Sequence, residues 1–267
     1  MRHLGLFGAE GQSRISKASV TIVGLGGLGV HVVQQLSYLG VRNFLLIDGD
    51  EVAASNLNRL VGAVEADEGE SKVLVAARQI EAIQPGATVV QEPRQFDPDI
   101  HDDLLGKADV LFGCLDEDPV RLQLVRAASG WALSYIDLAS DVTADGEFGG
   151  RIVFAKDGER CLSCLGELDQ HALARAQMDE TRRAADDAIY GVDRDLLSET
   201  GPSVVSVNGV VASLAVTEFF VYLTGLREPR GYITYRGDLP TVGSRIDPER
   251  GYCHYCMDLW GSRRSPE

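Results

Sequence analysis

Residues 18–29 read ASVTIVGLGGLG, an apolar run that ends in a glycine-rich turn. The run predicts a buried strand, and the helical spacing of Val33, Leu36 and Leu39 predicts a helix after the turn. Gly24, Gly26 and Gly29 fit the pattern GxGxxG. At the start of a helix, bare backbone lets a phosphate group approach the N–H groups. The stretch therefore predicts a Rossmann-like unit that binds a nucleotide.

Outward from this unit, strands alternate with helices, which indicates a mostly parallel α/β sheet with helices on both faces. Further strands are predicted at 43–47, 88–91, 109–112 and 133–136, and helices at 28–39, 71–83 and 119–128. In the second half, residues 149–155 and 231–235 predict longer, antiparallel C-terminal strands. We expect one domain over residues 1–267, with a mobile crossover loop at about 166–200.

The net charge of −15 argues against unaided binding to nucleic acid or to an anionic membrane. The N-terminus lacks the pattern of a secretory signal, so we expect a cytoplasmic protein. Residues 203–226 are apolar enough to consider as a membrane span, but Asn208 and Glu218 lie within them. A helix in the core or at a dimer interface is the favoured interpretation.

The acidic and basic residues near the glycine turn distinguish two classes of nucleotide enzyme. Asp48 ends the second strand about where a dinucleotide site binds its ribose, so an NAD-dependent dehydrogenase is one candidate. Arg59 and Lys72 favour adenylyl transfer, because that reaction must offset charge that builds up on a triphosphate. Asp116 follows another strand, and its carboxylate is a candidate ligand for Mg²⁺.

Four of the five cysteines form two CxxC pairs, Cys161 with Cys164 and Cys253 with Cys256. Two such pairs predict a structural zinc site, because each supplies two thiolates to a tetrahedral ion. Cys114, the fifth, ends an apolar strand and is predicted to be a packed side chain rather than a nucleophile.

In chain order, the segments GLGGLG, DGDEVAASNLNR, SK and CLDEDPVR and the two CxxC pairs resemble the ThiF/MoeB/HesA family of ubiquitin-activating (E1-like) adenylyltransferases. The resemblance implies the cofactors ATP, Mg²⁺ and structural Zn²⁺. It also implies that Arg59, Lys72 and Asp116 are catalytic, with Arg2, in RHLGLFGAEGQ, reaching the ATP of the partner subunit in a homodimer. Glu117 stands where the family usually has Asn. The implied nucleotide contacts are Gly24, Gly26, Gly27, Gly29, Asp48, Asp50, Ser55, Asn56, Asn58, Arg59, Lys72, Leu115 and Asp116.

The family resemblance further implies a substrate, the C-terminal carboxylate of a ubiquitin-like or sulfur-carrier protein with a Gly-Gly tail. Residues 166–200 contain no cysteine, and we treat Ser198 as an ordinary loop residue. We therefore expect hand-over of the adenylate to an external nucleophile, such as a sulfur donor, a conjugating enzyme or an amine. A peptide-modifying or tRNA-modifying relative and a scaffold without activity remain alternatives.

Overall fold

The computed structural model describes residues 3–143, 145–179, 182, 203–245 and 251–264. The helices in these ranges are α1 (Leu4–Lys17), α2 (Gly27–Leu39), α3 (Lys72–Ile83), α4 (Pro98–Leu105), α5 (Asp118–Trp131), α6 (Leu162–Leu165), α7 (Gln170–Ala176), α8 (Val205–Thr224) and α9 (His254–Met257). The strands are β1 (Ser19–Val23), β2 (Asn43–Ile47), β3 (Thr88–Glu92), β4 (Val110–Gly113), β5 (Ser134–Val142), β6 (Phe148–Ala155), β7 (Tyr232–Arg236) and β8 (Thr241–Ser244).

These strands form one sheet in the order β3-β2-β1-β4-β5-β6-β7-β8. The first five strands are parallel, and β6, β7 and β8 each pair antiparallel with the strand before them. One face packs on α1, α2, α3 and α8, and the other packs on α4, α5, α6 and α9. The predicted fold class, a mostly parallel α/β sheet with antiparallel C-terminal strands and helices on both faces, is confirmed.

The register of the parallel strands aligns the three turns from which the candidate site is built. Val23 is paired with Ile47 on one side and with Gly113 on the other. The residues that follow these strands, among them Gly24 and Asp48, therefore lie side by side at the carboxyl edge. The chain leaves β1 toward β2 and returns to form β4 on the other side. Sheets of this kind bind ligands in the crevice where the strand order reverses.

Helix α8 is long and apolar enough to cross a membrane by length and composition alone. In this structure it packs on the sheet, and Val211, Ala215 and Phe219 join the core. Its polar residues are also buried: Asn208 and Glu218 are each only 1% exposed. The position of α8 agrees with the interpretation of this segment as a core helix.

Helix α1 is not predicted by the sequence, because its glycines disfavour helix and Gly8 interrupts it at φ 69° and ψ 176°. Tertiary packing stabilises it: the rings of Phe7 and Phe220 lie 5.0 Å apart. A side chain at Gly11 would place its Cβ 3.0 Å from Thr224 Cγ2, so this glycine permits the close approach of α8.

The predicted crossover loop is described only over residues 166–179, which include the short helix α7. Asp169 begins α7 by accepting a hydrogen bond from the N–H of His171 at 2.8 Å. The rest of the loop, with Ser198, lies outside the described residues apart from residue 182, and so does Arg2.

Candidate nucleotide site and cysteine cluster

Three of the four glycines in the turn have no room for a side chain. Gly24 has φ +89°, and a Cβ there would lie 2.5 Å from the carbonyl oxygen of Cys114. At Gly29 a Cβ would lie 1.9 Å from the carbonyl oxygen of Gly24, and at Gly27 it would lie 2.3 Å from Asn208 Nδ2. These glycines are needed for close packing.

Gly26 differs, because a Cβ there would meet no atom within 4 Å. It is the N-cap of α2, whose first N–H groups have no partner within the helix. Such a helix start attracts anions through its free donors and its positive dipole end. The open space over Gly26 is therefore the place in this turn where a phosphate group can approach the backbone.

Asp48 joins the end of β2 to the glycine turn. Its Oδ2 accepts a hydrogen bond from the N–H of Leu25 at 2.5 Å, and its Oδ1 accepts one from the N–H of Asp50 at 2.8 Å. Burial raises the pKa of this carboxyl group, while the Leu25 N–H and the charge of Lys72 act in the opposite direction. Each oxygen keeps a further lone pair that a ribose hydroxyl can use.

Lys72 begins α3 and is only 9% exposed. Its Nζ lies 2.7 Å from Asp50 Oδ2, and this hydrogen bond lowers the pKa of Asp50. Gln95 Nε2 donates to the other oxygen, Asp50 Oδ1, at 2.9 Å. Gln95 is a site residue that no sequence pattern indicated. The structure thus holds the Lys72 ammonium group beside the carboxyl edge of the sheet.

Arg59 contacts its own loop. Its Nη1 donates to the carbonyl oxygen of Ser55 at 2.9 Å and to Asn58 Oδ1 at 3.3 Å. Asn56 Oδ1 accepts from the N–H of Ala53 at 3.1 Å. A small apolar cluster attaches this loop to α2 and α3, and it consists of Val30, Val52, Leu60 and Val75. The loop predicted to lie along the phosphates is thereby packed against the helix that begins at the glycine turn.

Asp116 lies beyond β4, next to the glycine turn. The preceding side chain, Leu115, reaches to 2.9 Å from the position that a Cβ on Gly24 would take. Asp116 itself is exposed, and within the described ranges its carboxylate makes no hydrogen bond or salt bridge. A free carboxylate at this edge suits Mg²⁺, which prefers oxygen ligands.

Asn208 is a buried residue of the site that sequence reasoning did not identify as functional. Its Nδ2 donates to Ser203 Oγ at 3.0 Å, and its Oδ1 accepts from Ser140 Oγ at 2.8 Å. The amide therefore fixes the start of α8 against Gly27 and β5. An amide inside a mostly apolar helix was the signal available in the sequence.

A second missed feature is a buried charge network around Asp137, which is 0% exposed on β5. Asp137 pairs with Gly113 in the sheet register, one strand over from the glycine turn. Its Oδ1 accepts from Arg151 Nη1 at 2.9 Å, and its Oδ2 accepts from Arg121 Nε at 3.1 Å and from the Tyr135 hydroxyl at 2.8 Å. The available sequence signal was an acid within an apolar strand.

Cys114 is 9% exposed, at the carboxyl end of β4. Burial, and then the charge of Asp137, raise the pKa of its thiol well above the usual value. A thiol rather than a thiolate at neutral pH is a poor nucleophile. Its position agrees with the prediction of a packed side chain.

The four remaining cysteines meet in one cluster, as predicted, and this cluster lies on the other side of the sheet from Cys114. Their sulfur atoms all lie within 4.8 Å of one another. Cys161 Sγ is 3.9 Å from Cys164 Sγ and 3.6 Å from Cys253 Sγ. Four thiolates at about 2.3 Å from a tetrahedral zinc ion would be about 3.8 Å apart. The cluster therefore fits zinc, and it joins α6 to α9 across a long separation in sequence.

Known proteins resemble this chain in sequence and in fold. The profile of the ThiF family matches residues 1–243. Adenylyltransferase and sulfurtransferase MOCS3-1 of Zea mays is 30% identical over 230 residues, which are 85% of this chain and 44% of that protein. The sulfur carrier protein adenylyltransferase of Thermus thermophilus is 37% identical over 121 residues, which are 45% of each chain.

Among solved structures, that of E. coli MccB with ATP has a TM-score of 0.71 at 21% sequence identity. The match covers 96% of this chain and 72% of that one, and it shows a shared fold. The matched residues cover less than half the length of the maize and Thermus relatives. From the profile match over most of its length, we conclude that the chain belongs to the ThiF family.

Proposed function

We propose that this protein is an ATP-dependent adenylyltransferase that acts on the C-terminal carboxylate of a ubiquitin-like or sulfur-carrier protein. The names of its relatives support this class of activity. The observation that carries the proposal is the arrangement at the carboxyl edge of the sheet. Open space over Gly26, the ammonium group of Lys72 and the carboxylate of Asp116, which has no partner among the described residues, lie around the point where the strand order reverses.

In the proposed reaction, a carboxylate oxygen of the carrier attacks the α-phosphorus of ATP. The bond from that phosphorus to the bridging oxygen breaks, pyrophosphate leaves, and an acyl-adenylate forms. The protein contributes position and charge, as in other phosphate chemistry. The glycine turn and Asp48 would hold the nucleotide, and Lys72 and Arg59 would offset negative charge on the phosphates. Asp116 would hold Mg²⁺, which neutralises phosphate charge when bound.

The proposed hand-over to an external nucleophile rests on the cysteines. Of the five in this sequence, four form the zinc-type cluster and Cys114 is buried. None of them is available to take the acyl group from the adenylate. The acceptor would then be a persulfide sulfur, a cysteine of a conjugating enzyme or an amine.

A homodimer is part of the proposal. An open groove of about 430 Å³ runs between α2 and α8 on the face away from the sheet. Its lining is formed by His31, Gln35, Ser206, Gly209, Val210, Ser213, Leu214 and Thr217. A second copy seated there would complete the burial of α8. Sedimentation velocity should show a particle of twice the chain mass of 28.9 kDa. We also propose that the protein is cytoplasmic.

The test is exchange of labelled pyrophosphate into ATP in the presence of purified small proteins that end in Gly-Gly. Lys72→Ala and Asp116→Ala should reduce exchange by about 100-fold or more, because each removes a group that acts on the phosphates. Lys156→Ala is a matched control, since that lysine pairs with Asp157 at 3.0 Å in the turn after β6. Wild-type exchange rates in both site variants would refute the assignment.

The alternatives make different predictions. A dehydrogenase would bind NAD and would not turn over ATP, and a scaffold would bind ATP without cleaving it. A peptide-modifying or tRNA-modifying enzyme would transfer AMP to a peptide or to tRNA and not to a carrier protein. Intact mass measurement after incubation with ATP and each candidate acceptor separates these cases.

A further inference from the structure

The network around Asp137 extends from the sheet to the first turn of α5 and to the start of the crossover segment. Arg121 Nη1 donates to Asp118 Oδ1 at 2.6 Å, in the first turn of α5. The other oxygen, Asp118 Oδ2, accepts from the N–H of Asp169 at 2.6 Å. The same carboxylate therefore contacts the helix after the Asp116 turn and the first residues of the crossover segment.

Arg151 makes a second connection to that segment. Its Nε lies 2.6 Å from Glu167 Oε2, and its Nη1 lies 2.9 Å from Asp137 Oδ1. Arg245 Nη1 lies 3.8 Å from the other oxygen of Glu167. Residues 167 and 169 follow directly after the cysteine pair of α6, so the crossover segment is attached twice at the point where it leaves the zinc-type cluster.

The charges in the network balance, with three arginines and three carboxylates: Arg121, Arg151, Arg245, Asp118, Asp137 and Glu167. A buried ionic network is generally no more stabilising than apolar side chains of the same volume. The network instead fixes the relative positions of the segments that it joins, because each hydrogen bond has a preferred direction and length.

We propose that Asp118 and Asp137 are positioning residues, which orient the turn that carries Asp116 and hold the start of the crossover segment next to it. Asp116 has no partner of its own among the described side chains. Its orientation is therefore set by its backbone, which continues through Glu117 into Asp118. The proposal rests on the proposed function, in which Asp116 binds Mg²⁺.

Asp118→Asn is the sharpest variant, because the amide is nearly isosteric. The carboxylate accepts from Arg121 with one oxygen and from the Asp169 N–H with the other. An amide has one acceptor, so its NH₂ group must face a donor on one side. Asp137→Asn makes the same change at the centre of the network. Glu218→Gln is the matched control, since Glu218 is also buried and bidentate, with Arg227 at 2.6 and 2.8 Å, on the far end of α8.

The experiment measures three quantities on the full chain: the Mg²⁺ concentration at half-maximal ATP binding, amide hydrogen exchange at residues 166–172, and the melting temperature. In Asp118→Asn we expect about a tenfold higher Mg²⁺ requirement, as for other changes next to a metal ligand. We also expect faster exchange at Asp169. Glu218→Gln should lower the melting temperature and leave the Mg²⁺ requirement unchanged.

An unchanged Mg²⁺ requirement in both Asp118→Asn and Asp137→Asn would overturn the proposal. So would an equal increase in Glu218→Gln, since the effect would then follow stability alone. If the wild-type protein does not bind ATP with Mg²⁺, the proposed function fails, and with it the role assigned to Asp116. Hydrogen exchange at Asp169 then still decides whether the network holds the crossover segment.

Discussion

Gly26→Ala separates a nucleotide-binding role of the glycine turn from a structural one. At φ −72° and ψ −161°, the residue has a backbone conformation that alanine adopts without strain. The new methyl group would meet no protein atom within 4 Å. The substitution therefore changes the space in which a phosphate group would sit and leaves the packing of the turn intact.

The expected effect on stability is small. Replacing glycine by alanine at an N-cap costs about 0.5–1 kcal/mol, and restricting the unfolded chain returns about 0.4–1 kcal/mol. The free energy of unfolding should change by less than about 1 kcal/mol, or about 3 °C in melting temperature. ATP affinity should fall further. Loss of one hydrogen bond to a charged phosphate costs about 1.5–3 kcal/mol, which raises Kd by about 10- to 140-fold.

Isothermal titration with ATP and Mg²⁺ measures the affinity, and a thermal melt measures the stability. Gly243→Ala on β8 is the control, because its Cβ would meet a single atom, Thr234 Oγ1, at 3.6 Å. It should alter neither quantity. Wild-type ATP affinity in Gly26→Ala would refute the placement of the phosphates over this turn.

Three further predictions concern packing, metal and pH. Gly27→Ala should lower the free energy of unfolding by about 1–3 kcal/mol in denaturant melts, because its Cβ would overlap Asn208 Nδ2; an unchanged midpoint would contradict the close contact. Zinc analysis should find one ion per chain, and Cys253→Ser should lower the melting temperature by about 10 °C or more. A metal-free protein as stable as the zinc-loaded one would exclude a structural zinc. Arg78 lowers the pKa of Asp67 from 3.8 to about 2, so the pair stabilises the fold above pH 4 and this contribution is lost as the pH falls toward 2. Acid titration of Asp67→Asn should therefore show a shallower loss of stability over that interval than the wild-type protein. An unchanged slope would contradict the pairing.

Local patterns predicted most of the sheet and helices because their signals are short in range. The apolar run before Gly24 and the helical spacing after it need only a few neighbouring residues to be interpreted. The spacing within each cysteine pair likewise predicts metal binding from a few neighbouring residues. Predicted strand and helix boundaries differ from the structure by a few residues, with β5 the main exception, since it continues to Val142.

Features that depend on contacts distant in sequence were not predictable in the same way. The position of α1 depends on Phe220, more than 200 residues away in the chain. The buried network joins Asp118 to Asp169 and Arg151 to Asp137, and no local pattern indicates such pairs. A lone acid in a strand has many potential partners, and only the folded chain selects among them.

By itself, the sequence determined the α/β class, the glycine turn, the zinc-type ligands and the resemblance to a family of adenylyltransferases, since each is encoded in residue types at short spacing. Tertiary structure alone decided which of the glycines is open to a ligand, because that depends on atoms of Cys114 and Asn208. It also decided that Lys72 meets Asp50 and that Asp137 lies in a closed network. These features depend on distances between chain segments, and those distances are set by packing and not by spacing in the sequence.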